Sequence, residues 1–270
     1  MGGGTIQRVF DSVESQTYTN FEWIIINDGS QDNSDAVIRS FIDKSPMKNK
    51  ISYFSQRNLG KHRTWNKAVD LSSGEYFLPA DADDSFIPTT LEYFNKRINE
   101  LVDTYGNINK FSGINVCVYD PQTGTLHGTP YPKEGLVSDN VELTYHYKIQ
   151  GEHWGCIRTN LLKQNKFPEV KGHFYTENRL WFLLAKKGYK VVCYNDCLRA
   201  YFYETTSLTH NTSYQWNFNN NAMMLHFHLW VIFQLGGRIF KYSPIAYFNH
   251  WKRVITNITK CTLSLILGKK

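Results

Sequence analysis

After Glu204 the sequence contains no acidic residue at all, while Arg238, Lys241, Lys252, Arg253, Lys260, Lys269 and Lys270 all lie in that stretch. The formal net charge of +6 therefore comes entirely from the tail, and the chain before it falls one charge short of neutrality. A partner for the tail is expected to be anionic. Long apolar runs are also missing: no stretch of about 18 apolar residues occurs, which excludes an ordinary transmembrane helix. The opening Met1-Gly2-Gly3-Gly4 has no charged region followed by an apolar one. No secretory signal is expected, and the location is read as cytoplasmic. Cysteine is scarce, at five scattered residues. Cys193 and Cys197 form a C-x-x-x-C with no second ligand pair, so free thiols in a reducing compartment are expected. In that setting the sequons at Asn211 and Asn257 are chance matches. The sequence shows no internal repeat, and no nucleic-acid-binding module, so no nucleic acid partner is expected.

What is present describes an ordered domain. With 270 residues, 41% hydrophobic and 20% charged, the chain can bury a sizeable core as one domain, 1–215, with a basic, aromatic-rich helical extension, 216–270. Ile6, Val9, Phe10 and Val13 have helical spacing. Trp23-Ile24-Ile25-Ile26 reads as a strand buried on both faces, ending at Asn27-Asp28-Gly29-Ser30. A helix with Val37, Ile38, Phe41 and Ile42 on one face follows, then a strand at 51–55 and a helix at 61–71. The next strand begins at Tyr76. Strand and helix alternate, which predicts a layered α/β fold with a mostly parallel sheet and ligands at the carboxyl ends of its strands. Farther on, a helix opens after Pro88, a strand covers 111–119, a helix includes Trp181 to Ala185, and Tyr189 to Tyr194 is a strand.

Tyr76-Phe77-Leu78-Pro79-Ala80-Asp81-Ala82-Asp83-Asp84 is the most informative stretch. A short apolar run ending in three carboxylates is costly beside a core unless a cation is shared there. Carboxylate oxygens suit Mg2+ or Mn2+, which are typically held by one or two carboxylates with water and substrate phosphates completing the shell. The competing reading is an acidic turn that closes a strand, with Asp84 or Ser85 capping the next helix. A phosphatase using an apolar strand and D-x-D fits poorly, because the later aspartates Asp103, Asp120, Asp139 and Asp196 are isolated.

Ser15-Gln16-Thr17-Tyr18, Asn27-Asp28-Gly29-Ser30, Asn58-Leu59-Gly60-Lys61, Asn66-Lys67-Ala68, Gly74-Glu75-Tyr76 and Asp81-Ala82-Asp83-Asp84 follow one another in that order. With these pieces the sequence resembles bacterial family 2 glycosyltransferases of the GT-A fold, of the kind that build capsular and lipopolysaccharide sugars. The resemblance covers roughly residues 5–215, most specifically 12–86. The resemblance implies an inverting, metal-dependent hexosyltransferase that moves a sugar from a nucleotide-diphosphate donor to a glycan or lipid-linked acceptor. It implies that Asp28 meets the nucleobase, that Lys61 reaches the diphosphate or a base edge, and that Asp83 binds Mn2+ or Mg2+ with Asp81 beside the ribose or the metal's water shell. By the same resemblance Asp84 is expected to touch the donor sugar or cap a helix, and positions comparable to His210 face the pyrophosphate in some relatives, a lone histidine being more often structural. Glu152, His153 and Trp154 sit where relatives frame the acceptor pocket.

The family's first apolar strand is expected to be missing, and Trp65 stands where many relatives carry arginine. Relatives commonly use the Asp of a Glu-Asp pair as general base; here the pair is Glu177-Asn178, which leaves Glu177 for that role. The alternative is a catalytically impaired nucleotide-sugar binding protein.

In the tail, Phe248, Trp251, Val254, Ile255, Ile258, Leu263 and Leu265 share a broad helical face from Ile245 onward, with Arg253 and Lys260 opposite. That pattern describes either a helix lying on an anionic membrane surface through residues 245–270 or one packed on the protein's own core. In the first case the protein sits peripherally on the inner face of the membrane.

Overall fold

The computed structural model describes residues 3–169, 176–202 and 218–266. The chain enters through helix α1 (Gly3–Glu14), whose Ile6, Val9, Phe10 and Val13 are all buried, as their i, i+3, i+4, i+7 spacing requires. Strand β1 (Trp23–Asp28) pairs in parallel with β2 (Ile51–Gln56), from Trp23 opposite Ile51 to Asp28 opposite Gln56. Between them runs α2 (Ser34–Lys44), started by the Asp32 carboxylate, which accepts from both the backbone N–H and the hydroxyl of Ser34. Helix α3 (Lys61–Leu71) leads to the short strands β3 (Tyr76–Phe77) and β4 (Ser85–Phe86), and then to α4 (Thr90–Tyr105).

Next come β5 (Phe111–Tyr119), β6 (Leu136–Ser138), α5 (Asn140–Tyr145), β7 (His153–Arg158), α6 (Thr159–Gln164), α7 (Asn178–Lys186) and β8 (Lys190–Ala200). The larger sheet has the order β3-β7-β5-β8-β4, with β6 also on β8. β5 and β8 run parallel; the other ladders of this sheet are antiparallel. Gly113 and Gly155 let β5 and β7 close on each other, because a Cβ at either would sit 1.9 Å from a carbonyl oxygen of the partner strand.

β1 and β2 form a separate two-stranded sheet, and among the described residues no strand precedes α1. The expectation that Trp23 to Ile26 is buried on both faces is corrected: all four are half-buried, because β1 has a strand neighbour on one side only. Likewise the Tyr76 strand stops after Phe77, ahead of Pro79, which has no N–H for a ladder.

The main core lies between α1, α4 and the larger sheet, where Val9, Val13, Phe94, Ile114, Val116, Val118, Trp154 and Leu198 meet. Burying each such large side chain contributes about 1.5–3 kcal/mol. The tail folds back as a hairpin of α8 (Phe218–Tyr242) and α9 (Pro244–Ile266). Phe227, Val231, Leu235 and Ile239 of α8 share a cluster with Val141 and Tyr145 of α5 and with Phe182 and Ala185 of α7. Arg238 anchors it by donating to both oxygens of the buried Asp139 (2.9 and 2.8 Å), which also caps α5. Val254, expected on the broad apolar face, points inward instead and is 4% exposed.

Candidate functional site

The two acidic turns lie at the carboxyl ends of β1 and beyond β3, and the loop before α3 joins them. Asp28 closes β1. Its Oδ1 accepts from the backbone N–H of Leu59 (2.9 Å) and from Gln56 Nε2 (2.8 Å), and its Oδ2 from the N–H of Gly60 (2.9 Å). This carboxylate thus holds the loop that presents Lys61. Gly29 has φ +77°, and a Cβ there would lie 2.5 Å from the amide nitrogen of Asn58, so only glycine lets the two turns touch.

Lys61 opens α3, and its Nζ lies 3.0 Å from Asp81 Oδ2 and 3.0 Å from Glu177 Oε1. Burial works against the charge of this ammonium, but the Asp81 and Glu177 carboxylates outweigh it and hold its pKa above the ordinary lysine value. One cation therefore gathers three of the residues singled out in the sequence. Glu177 stands at the N-cap of α7 without a side-chain capping bond, while Asn178 is exposed.

Asp83 is half-buried, and its backbone carbonyl accepts from Arg8 (2.9 Å), whose guanidinium lies 3.4 Å over the Phe202 ring. Asp84 is buried, and its Oδ2 accepts from the backbone N–H of Asp81 (2.7 Å) and contacts Arg199 Nη1 at 3.4 Å. Burial pushes the Asp84 carboxyl up to about 7, against the opposing pull of Arg199. Asp84 thus shapes the Asp81-to-Asp84 turn from within.

Of the three residues expected near an acceptor, Trp154 is held in the core instead. Trp154 is 5% exposed, stacks on Phe86 with ring centroids 5.0 Å apart, and donates its indole N–H to the carbonyl of Pro79 (2.6 Å). It has no free face for a sugar; its size and its single donor suit it to bracing the acidic turn. Glu152 accepts from Arg199 (2.8 Å), and His153 bonds the Thr129 carbonyl (2.9 Å), with burial lowering its pKa. Trp65 packs with Phe77, Phe167 and Trp181, holding α3 against β3 and α7. His210 lies outside the described residues.

Arg199 and Arg8 were missed by sequence reasoning. Arg199 carried a readable signal, since a charge inside the apolar run Cys197-Leu198-Arg199-Ala200 needs buried counter-charges. It finds them in Asp84 and Glu152. Arg8, on the polar side of α1, carried none.

The acidic turn fits a divalent ion only in a limited sense. Among the described residues no three His, Cys, Asp or Glu side chains converge as a ready-made cage. Hard oxygen donors at Asp81 and Asp83, with a lysine ammonium already drawn onto Asp81, suit an ion that takes most of its shell from water and a bound phosphate.

A lysine, an acidic turn and a helix-start carboxylate are thus gathered at strand ends over an α/β sheet. Residues 3–133 match the family model described as glycosyl transferase family 2. The chain is 27% identical over 220 residues to the glycosyltransferase GlyA of Streptococcus pneumoniae, with 78% of this chain and 30% of that protein covered. It is 33% identical over 258 residues to an uncharacterized glycosyltransferase of Rickettsia felis, covering 79% of this chain and 42% of that protein. Among solved structures it is similar to TarS 1–349 of Staphylococcus aureus, with a TM-score of 0.59 at 14% identity, covering 95% of this chain and 77% of that one. The same protein in complex with UDP-GlcNAc gives a TM-score of 0.55 at 15% identity, covering 95% and 68%. The chain belongs to glycosyltransferase family 2, and it spans less than half the length of these two curated relatives.

Proposed function

We propose that this chain transfers a sugar from a nucleotide-diphosphate donor to a glycan or lipid-linked acceptor, with inversion at the sugar carbon, as a metal-dependent hexosyltransferase in polysaccharide or lipid-linked glycan assembly. The observation that carries the reading is the shared Lys61 ammonium, 3.0 Å from both Asp81 and Glu177 at the carboxyl ends of the strands. It collects in one place a cation for a diphosphate, a D-x-D carboxylate and a base. The TarS neighbour's complexes with UDP and UDP-GlcNAc make uridine diphosphate the first donor class to test.

In this reading Asp28 orders the Leu59-Gly60-Lys61 loop beneath the nucleobase, and Lys61 turns from the carboxylates to the diphosphate as the donor enters. Asp83 and Asp81 would hold Mn2+ or Mg2+, and a bound ion would supply neutralisation of the charge on the departing diphosphate. Glu177 takes the proton from the acceptor hydroxyl as its oxygen attacks the sugar carbon, which requires a carboxylate within hydrogen-bond reach of that hydroxyl. The acceptor is met by a cytoplasmic protein held at the inner face of a membrane.

A screen of nucleotide sugars for metal-dependent hydrolysis, followed by calorimetry on Asp83→Ala, tests the proposal. Loss of metal-dependent nucleoside diphosphate binding with an unchanged fold supports it; unchanged Mn2+-dependent affinity overturns the metal assignment. The exposed Asn178, standing where relatives commonly place their base, favours a second reading, a binding protein without turnover. Donor binding by calorimetry with no product formed selects that one.

A further inference from the structure

We infer that the outward face of α9 docks on an anionic lipid bilayer surface. The inward side of α9 is filled: Val254, Asn257 and Ser264 are buried, and His250 meets His228 of α8 and Tyr145 of α5. On the opposite side Ile245 is 76% exposed, Phe248 60%, Ile255 65% and Ile266 73%. Single exposed apolar residues are ordinary, but a row along one helix marks a surface that is covered in use. The helix therefore has two apolar faces, and the protein's own core accounts for one of them.

Charge selects the occupant. No acidic residue follows Glu204, and Lys241, Lys252 and Arg253 are exposed on the same hairpin. A second copy seated on this face would bring like charges together in apolar contact, whereas anionic headgroups neutralise them and the acyl boundary receives the apolar row. No helix among the described residues is long and apolar enough to cross a membrane, so α9 lies in the plane of the interface. This surface rests on observations separate from the transferase reading.

The test is flotation of the full chain with vesicles of phosphatidylcholine alone and of phosphatidylcholine with about one-third phosphatidylglycerol. Binding to the anionic vesicles is expected to exceed binding to neutral ones by about tenfold and to fall with added salt. Ile245→Gln, Ile255→Gln and Ile266→Gln together are expected to lose roughly tenfold in bound fraction, while circular dichroism and thermal midpoint stay unchanged because these side chains face solvent. Lys241→Gln with Lys252→Gln is expected to remove the preference for anionic lipid. Flotation of the apolar triple variant at the parent's level overturns the inference, as does a parent that floats with neither vesicle. A parent that fails to float and elutes as a dimer, which the triple variant converts to a monomer, assigns the face to a second copy instead. Flotation needs no turnover, so its failure and failure of the transferase reading are distinguishable.

Discussion

The indole N–H of Trp154 donates to the carbonyl oxygen of Pro79 at 2.6 Å, tying a residue of the main core to the backbone that leads into Asp81. Trp154→Phe keeps an aromatic ring on Phe86 but leaves that carbonyl without its donor. A loss of about 1–3 kcal/mol in urea unfolding is expected, together with weaker metal-dependent nucleoside diphosphate binding. Unchanged nucleotide affinity in the destabilised variant would show that the turn is held by Asp84 alone.

Arg199 is 4% exposed between Asp84 and Glu152. Arg199→Met removes the positive charge that opposes burial at Asp84, so the Asp84 carboxyl rises further above its usual range. Ionised Asp84 then stands buried and unpaired, and the variant is expected to lose about 3–5 kcal/mol at pH 8. The loss shrinks toward pH 6, where the raised carboxyl holds its proton in the folded state. Asp84→Asn in the same background should recover much of the stability at pH 8. Denaturation midpoints at the two pH values check both signs.

Those two arginine partners also mark the limit of what was legible in the sequence. Helices α1, α2 and α3 were readable because Ile6, Val9, Phe10 and Val13, and their counterparts, repeat at a local period. The acidic turns were readable because Asp28 and Asp81 end apolar runs. The pairing of Arg199 with Asp84 spans 115 positions, and nothing local points from one to the other. Trp154 was misjudged for a related reason: an aromatic ring beside Glu152 reads equally as sugar platform or core, and only the position of β7 between β3 and β5 decides for the core.

Glu177→Gln is expected to keep donor affinity and lose on the order of 100-fold or more in turnover, as removal of a positioned base does. Asn178→Asp places a carboxylate one residue along at the exposed start of α7. A harmless Glu177→Gln together with a strong gain from Asn178→Asp, in a product assay, would move the base to position 178 and make this chain a weakened member of its family.

His228 and His250 face each other at 2.9 Å between Nδ1 atoms, and His250 Nε2 lies 2.7 Å from the Tyr145 hydroxyl. Burial first, then charge repulsion between the rings and from Arg253, lowers His228 to about 4; burial and Arg253 lower His250 to about 4. Both pKa values lie below the unfolded value, so the unfolded chain binds more protons as pH falls from about 6.5 to about 4. The hairpin's attachment is expected to weaken progressively as pH falls across that window. His228→Gln should flatten the dependence, read as the pH profile of the thermal midpoint.

The separation of β1 and β2 from the larger sheet has a practical consequence for handling the protein. Along one side of Trp23 to Asp28 the backbone amides and carbonyls have no ladder partner among the described residues, and the apolar side chains on that strand are only half covered. Such a margin is a template for any extended segment that drifts past it, including the same margin of another molecule. Self-association at this edge is expected to show as a concentration-dependent rise in β-signal by circular dichroism in the absence of lipid.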